Sequence, residues 1–246
     1  MNKLYFSLAA IFLTIGIQQN EKPPANRRNF VACPIIRDSK TMPCWLAEYD
    51  GELYYLGQQG RTSSAFYPPQ LKHEVLVEGT VKPGERICGG IVLEPLSISV
   101  MPELSLHCNT LLPAEDGLEP PPLPPLPKNE PLPDSTRSFT IPFDFDSDYL
   151  TLHKTRILGE AIRIAKIIQL KEIQISAYRA STLLSNGQKM LEKENIAAKR
   201  AEKIVDVFIG LGFPKEKIKL TVKSTPEPCD GLNDPTRRRV RIKLLG

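Results

Sequence analysis

The sequence predicts an α+β multidomain protein: a small all-β barrel or sandwich, a proline-rich linker, and a C-terminal sandwich of order β-α-β-α-β-β. Three observations carry this. The chain has 246 residues, enough for two domains of ordinary size with a core each. Proline is enriched at 23 residues, and eight of them crowd into residues 120–133. Across that tract the apolar pattern switches from alternation to helical spacing. A composition of 41% hydrophobic and 24% charged residues is that of a soluble globular protein and excludes a wholly disordered chain. The net charge of +4 is uneven: residues 1–134 carry 11 Lys+Arg against 15 Asp+Glu, and residues 135–246 carry 21 against 13. Such a basic half suits phosphate, nucleic acid or an anionic envelope polymer, or a face kept soluble by its charge.

Residues 1–20 read as a signal peptide. Lys3 precedes an apolar run over residues 4–17 that stops at Gln18, Gln19 and Asn20. The run is shorter than the ~20 residues a membrane-spanning helix needs, and a short uncleaved anchor is the alternative because no Ala-x-Ala site follows. Residues 30–33, ending in Cys33, faintly resemble a lipidation signal, but Lys22, Pro23, Pro24, Arg27 and Arg28 separate them from the apolar run, so lipidation is not expected. Export makes disulfides the expected state of Cys33, Cys44, Cys88 and Cys108. Three connectivities are possible; Cys33–Cys44 with Cys88–Cys108 closes the shortest loops and is preferred. A zinc site from Cys88, His107 and Cys108 lacks metal-ligand spacing. Cys229 is left over.

Residues 30–113 form the expected all-β domain. Two apolar and aromatic runs over residues 45–57 meet at Asp50-Gly51, a tight-turn dipeptide. Residues 73–81 alternate with Val75, Val77 and Val81 on one face, and residues 91–100 follow after the turn signals at 83–84 and 89–90. No helix of useful length is expected, and four or five short strands are. The Val-x-Val-x-Gly-x-Val stretch resembles strands of OB-like barrels. Trp45, Tyr49, Tyr54, Tyr55, Phe66 and Tyr67 are mostly needed as core, with ligand stacking the lesser option.

Residues 114–137 form the linker. Its prolines remove backbone donors, so neither a helix nor a central strand can form. As polyproline II, residues 120–133 span roughly 40 Å, a stiff spacer that holds two domains apart.

Residues 138–246 form the second domain. Residues 139–145 alternate as a strand, and Leu158, Ala161, Ile162, Ala165 and Ile168 make one face of a helix over residues 149–169. A strand over 172–178 follows, then a helix over 188–211 with Ala197, Ala201, Ile204, Val205 and Phe208 on one side, ended by Gly212 and Pro214. Strands over 217–222 and 238–244 complete helices on one face of a mixed sheet.

Four landmarks in this domain carry a family resemblance. Phe143-Asp144-Phe145-Asp146-Ser147 with Leu150, Ile196-Ala197-Ala198-Lys199-Arg200-Ala201, Gly212-Phe213-Pro214 through Ile218, and Arg237-Arg238-Arg239-Val240 occur in order. Together they resemble the OmpA-like peptidoglycan-binding domain of Gram-negative envelopes. The resemblance implies that Arg200 holds the carboxylate of diaminopimelate in the peptidoglycan stem and that Arg238 and Arg239 match the family's terminal pair. A guanidinium fork suits that task because it engages a carboxylate through two parallel hydrogen bonds. The family's partner to this arginine is an Asp that binds the ligand ammonium. Here that position is Ala180, with a cation, Arg179, beside it, and the segment over 181–195 is about five residues longer than usual. Losing such a charged hydrogen bond costs about 1.5–3 kcal/mol, ten- to hundredfold or more in affinity. Glu192 or Glu194 could supply a substitute carboxylate, but solvated charges at a helix start are the preferred reading of both.

Two functions follow. The first is a non-catalytic scaffold or tether in the periplasm, associated with the cell wall or outer membrane, with weakened or altered peptidoglycan binding. The second is an adaptor of a secretion, conjugation or motility assembly whose OmpA-like domain binds protein through Arg179, Arg200 and residues 237–239. Membrane association is peripheral at most, and no cofactor or metal is expected. Catalytic motifs are missing, and His73, His107 and His153 read as surface or capping residues. Export and the lack of aromatics among the arginines speak against nucleic acid.

Overall fold

The computed structural model describes residues 23–58, 67–122, 125, 128 and 130–246. The export segment at 1–20, Phe66 and part of the proline tract lie outside them.

The N-terminal half is a seven-stranded mixed sheet of β1 (Arg27–Ala32), β2 (Pro34–Arg37), β3 (Cys44–Tyr49), β4 (Glu52–Gln58), β5 (His73–Ile87), β6 (Gly90–Leu104) and β7 (Thr110–Leu112). Their order is β1-β5-β6-β4-β3-β2-β7. Seven strands are present where four or five were expected, and β5 and β6 are 15 residues long instead of short. Register shifts between Val81 and Arg86 bend this pair, so the 83–84 turn signal marks a kink within β5. The β3–β4 turn falls at Asp50-Gly51 as expected, both residues having positive φ, the geometry that matches strand twist in a two-residue hairpin. Gly90 lets β6 run against β4, since a Cβ there would lie 2.6 Å from the Tyr55 nitrogen.

The sheet curls on itself. Phe30 of β1 stacks on Tyr49 of β3 at 4.5 Å although three strands separate them in the order, and Arg28 Nε donates to the Tyr54 hydroxyl at 2.8 Å. Phe30, Trp45, Tyr54, Leu56, Val75, Val77 and Leu93 fill the enclosed face. Tyr67 alone of the described aromatics in this half is mostly exposed.

All four expected cysteines pair, but as Cys33–Cys108 and Cys44–Cys88, correcting the shortest-loop choice. Strand order explains the difference. Cys33 follows β1 on one long strand of the β5–β6 ribbon, and Cys108 follows that ribbon's return, so partners 75 residues apart meet. Cys88 is bonded to Cys44, and of the nearby trio Cys33, His107 and Cys108, two sulfurs are joined to each other.

The C-terminal half contains β8 (Ser138–Pro142), α1 (Leu152–Ile167), β9 (Glu172–Leu183), β10 (Lys189–Leu191), α2 (Ile196–Gly210), β11 (Ile218–Glu227), the single turn α3 (Asp234–Arg237) and β12 (Arg239–Leu245). The path is β10-β9-β12-β8, with β11 parallel to β9. Both helices cover one face: Leu158, Ala161, Ile164, Ala201, Ile204 and Phe208 pack on Phe139, Ile141, Ile173, Ile175, Val240 and Ile242. The second helix is shorter than expected. Residues 189–191 turn back on β9 as β10, through a turn at Gly187 with φ +88°.

The linker does not hold the halves apart. Gln58 Nε2 donates to Pro121 O, Arg163 and Glu160 of α1 bind the backbone of Leu132, and the two halves meet directly. Leu76 of β5, Phe145 and Leu184 bury one another, with Val31, Met101 and Met190 around them. The face of β5 opposite the N-terminal core, which alternation assigns to solvent, is therefore covered by the other domain.

Candidate functional site

Arg200 lies on the buried side of α2 with a fully buried side chain. A guanidinium has five N–H donors, and all five are used. Nε donates to Ser147 O at 2.9 Å; one terminal nitrogen donates to Tyr178 O and Glu192 Oε2, each at 3.1 Å; the other donates to Asp144 O at 2.9 Å and Glu192 Oε1 at 2.5 Å. Phe143 closes one side, its ring centre 5.1 Å from the guanidinium carbon.

Glu192, expected to be solvated, is instead fully buried. Beyond Arg200 it accepts from Ala180 N at 2.8 Å and Asp146 N at 3.1 Å. The hairpin of β9 and β10 places it there: Glu192 N donates to Ala180 O, locking the carboxylate over the arginine just before α2 begins. The longer segment over 181–195 thus supplies a carboxylate of its own in the fork-to-fork geometry that a ligand carboxylate would adopt. Asp146 anchors the next residue, its Oδ1 accepting from Lys193 N, and burial pushes its carboxyl above the usual aspartate range. Glu194 is exposed, as expected.

The other arginines are also engaged. Arg179 donates to Glu192 O at 2.6 Å and to Ser224 O at 3.3 Å. Arg239 makes a bidentate pair with Glu227 at 2.8 and 2.9 Å and lies 4.3 Å over the Tyr178 ring. Arg238 reaches across the domain boundary. It pairs with Glu78 of β5 and donates to Thr182 Oγ1 at 2.8 Å, while Thr182 donates to Glu78 at 3.1 Å. Both charged side chains are buried to within 1%. Ala180 has no polar side chain to offer and is itself fully buried.

Around this pair the domain boundary is polar, and most of its polar groups are partnered, although Arg238 Nε is buried without an acceptor. Asn29 Nδ2 donates to Leu183 O at 2.9 Å and Gly231 O at 2.8 Å, while its backbone exchanges hydrogen bonds with Ser185. Phe145 N donates to Ser99 Oγ at 2.8 Å. Asp234 accepts from Leu183 N and Gly231 N, and burial pushes its carboxyl up. Beside the boundary opens a cleft of about 330 Å³ whose walls include Tyr67, Ile98, Phe143, Asp144, His153 and Lys154. Lys154 and Asp144 are already paired at 2.9 Å.

Sequence reasoning missed Glu78, Asn29 and Thr182, and held Glu192 as a substitute carboxylate only as the lesser option. Glu78 had a visible signal, since Leu76 and Glu78 share a face of β5 and a solvent face has no use for the leucine. Glu192, Lys193, Glu194 and Asn195 read as a solvated run, which hides the burial of the first.

No protein-family model matches the sequence, and no curated protein matches it. Among solved structures, the chain is similar to the OmpA-like domain of FopA1 from Francisella tularensis, at 18% identity and TM-score 0.33, covering 44% of this chain and 73% of that one. It is similar to a MotB-like protein from Desulfovibrio vulgaris at 15% identity and TM-score 0.33, with 44% and 71% covered. The periplasmic domain of Helicobacter pylori MotB is similar at 15% identity and TM-score 0.31, with 44% and 78% covered. Among the described residues no helix is long and apolar enough to cross a membrane.

Proposed function

We propose that this chain is a non-catalytic envelope protein of the periplasm, acting as an adaptor whose OmpA-like domain makes protein contacts instead of gripping the peptidoglycan stem. The observation that supports the reading is the Arg200–Glu192 pair, in which every donor of the arginine is already used. A diaminopimelate carboxylate would have to displace Glu192, which is tethered in place and therefore present at high effective concentration. The displaced carboxylate would lose its partner inside the protein, and breaking one side of a buried pair costs about 3–5 kcal/mol. The ligand ammonium gains nothing in return, because Ala180 stands where the family has its aspartate. Docking of the β-sheet domain through Arg238 removes a second arginine from ligand duty.

Sedimentation with purified peptidoglycan sacculi tests this. The expected result is that the wild-type chain stays in the supernatant, as does Arg200→Ala. Pelleting by the wild type that Arg200→Ala abolishes would restore the tether reading and overturn the adaptor.

A further inference from the structure

We propose that the helix-free face of the C-terminal sheet docks on the anionic headgroup plane of a phospholipid membrane. Strand register gathers the cations. Lys219 and Lys223 of β11 lie opposite Gln174 and Tyr178 of β9, while Arg241 and Lys243 of β12 lie opposite Ser176 and Gln174. Alternation sends all of these side chains to one face, away from Ile173, Ile175 and Ala177 under the helices. Lys219, Lys223, Arg241 and Lys243 are exposed, and none has a carboxylate partner among the described residues. With Arg239, five cations on β11 and β12 face two carboxylates, Glu227, which pairs with Arg239, and Glu172, which accepts from the Gln174 amide and keeps its charge, so the face carries a net excess of three positive charges.

The chemistry of the face selects the partner. A protein interface wants an apolar centre and few lysines, whereas the exposed residues between these cations are Thr221, Thr140 and Ser138. A reader of single-stranded nucleic acid needs a free ring for bases to stack on. The one ring here, Tyr178, already carries Arg239 at 4.3 Å and Arg241 at 5.6 Å. What remains is a sheet surface that presents unpaired cations and hydroxyls from neighbouring strands, which complements a plane of phosphates. This face is the opposite side of the sheet from α2 and Arg200, so the proposal stands whether or not peptidoglycan is bound.

Each cation near an anionic membrane is worth about fivefold in partition. The full chain should sediment with phosphatidylglycerol–cardiolipin vesicles and not with phosphatidylcholine vesicles, and added salt should release it. Lys219→Glu/Lys223→Glu/Arg241→Glu/Lys243→Glu should weaken binding by at least about a hundredfold, on the same per-cation arithmetic. The matching four-fold Gln variant, which removes charge without reversing it, gives the same reading if the Glu variant misfolds. Failure of the wild type to bind anionic vesicles overturns the proposal, as does equal binding to neutral ones or unchanged binding by a folded Gln variant. Tighter binding to single-stranded DNA that the same substitutions abolish overturns it in favour of nucleic acid.

Discussion

Arg200 and Glu192 are two charges without access to water, each holding the other in a setting where neither could stand alone. Such a pair adds little net stability compared with a well-packed apolar pair, but removing one member strands the other. Glu192→Ala should therefore destabilise the protein by about 3–5 kcal/mol, read as a shift in the urea unfolding midpoint at neutral pH. Glu192→Gln keeps the shape and one acceptor and should cost less. An unchanged midpoint for the alanine variant would mean that the carboxylate is solvated after all. Arg179 keeps its charge but not its freedom of orientation, since its guanidinium is held by the carbonyls of Glu192 and Ser224.

At the scale of elements, the β9–β10 hairpin and the Cys33–Cys108 disulfide do the positioning. The disulfide closes a separation of 75 residues across the ends of the β5–β6 ribbon. Replacing both cysteines by alanine should cost about 2–5 kcal/mol, measured by thermal or urea unfolding against the wild type under oxidising conditions. A cost near zero would show that the ribbon ends are held without it. Much of this level was legible in the sequence. The apolar stripes of α1 and α2, the Asp50-Gly51 hairpin and the oxidation-prone set of four cysteines are local patterns, and local patterns are what a linear reading captures. The connectivity was not legible, because Cys33 and Cys108 become neighbours only through strand order. Gln188, Lys189, Met190 and Leu191 are all good helix formers and so suit a helix; Gly187 and pairing with Ser181 to Leu183 draw residues 189–191 into β10 instead. Arg200 was legible by its place in a motif, whereas Glu192, a candidate carboxylate from the sequence, sits in a polar run that carries no burial signal.

For the whole molecule, the halves behave as one body and not as beads on a stiff spacer. Leu76, Phe145 and Leu184 supply apolar burial across the boundary, and Glu78, Arg238, Thr182 and Asn29 supply its specificity. Glu78→Ala leaves Arg238 buried beside Phe145 without its carboxylate, at about 3–5 kcal/mol. The expected outcome is a second, earlier unfolding transition and a larger radius of gyration in X-ray scattering as the halves part. A single transition and unchanged scattering would show that the apolar contacts alone hold the boundary.

The Glu78–Arg238 pair also imposes an order on biogenesis. Its members are 160 residues apart, so the N-terminal sheet is complete in the chain well before the arginine that closes it. Throughout that interval Leu76 and a carboxylate destined for burial face outward on a long strand, a surface open to unwanted pairing. A chain truncated before Arg238 would leave the Glu78 carboxylate without its guanidinium.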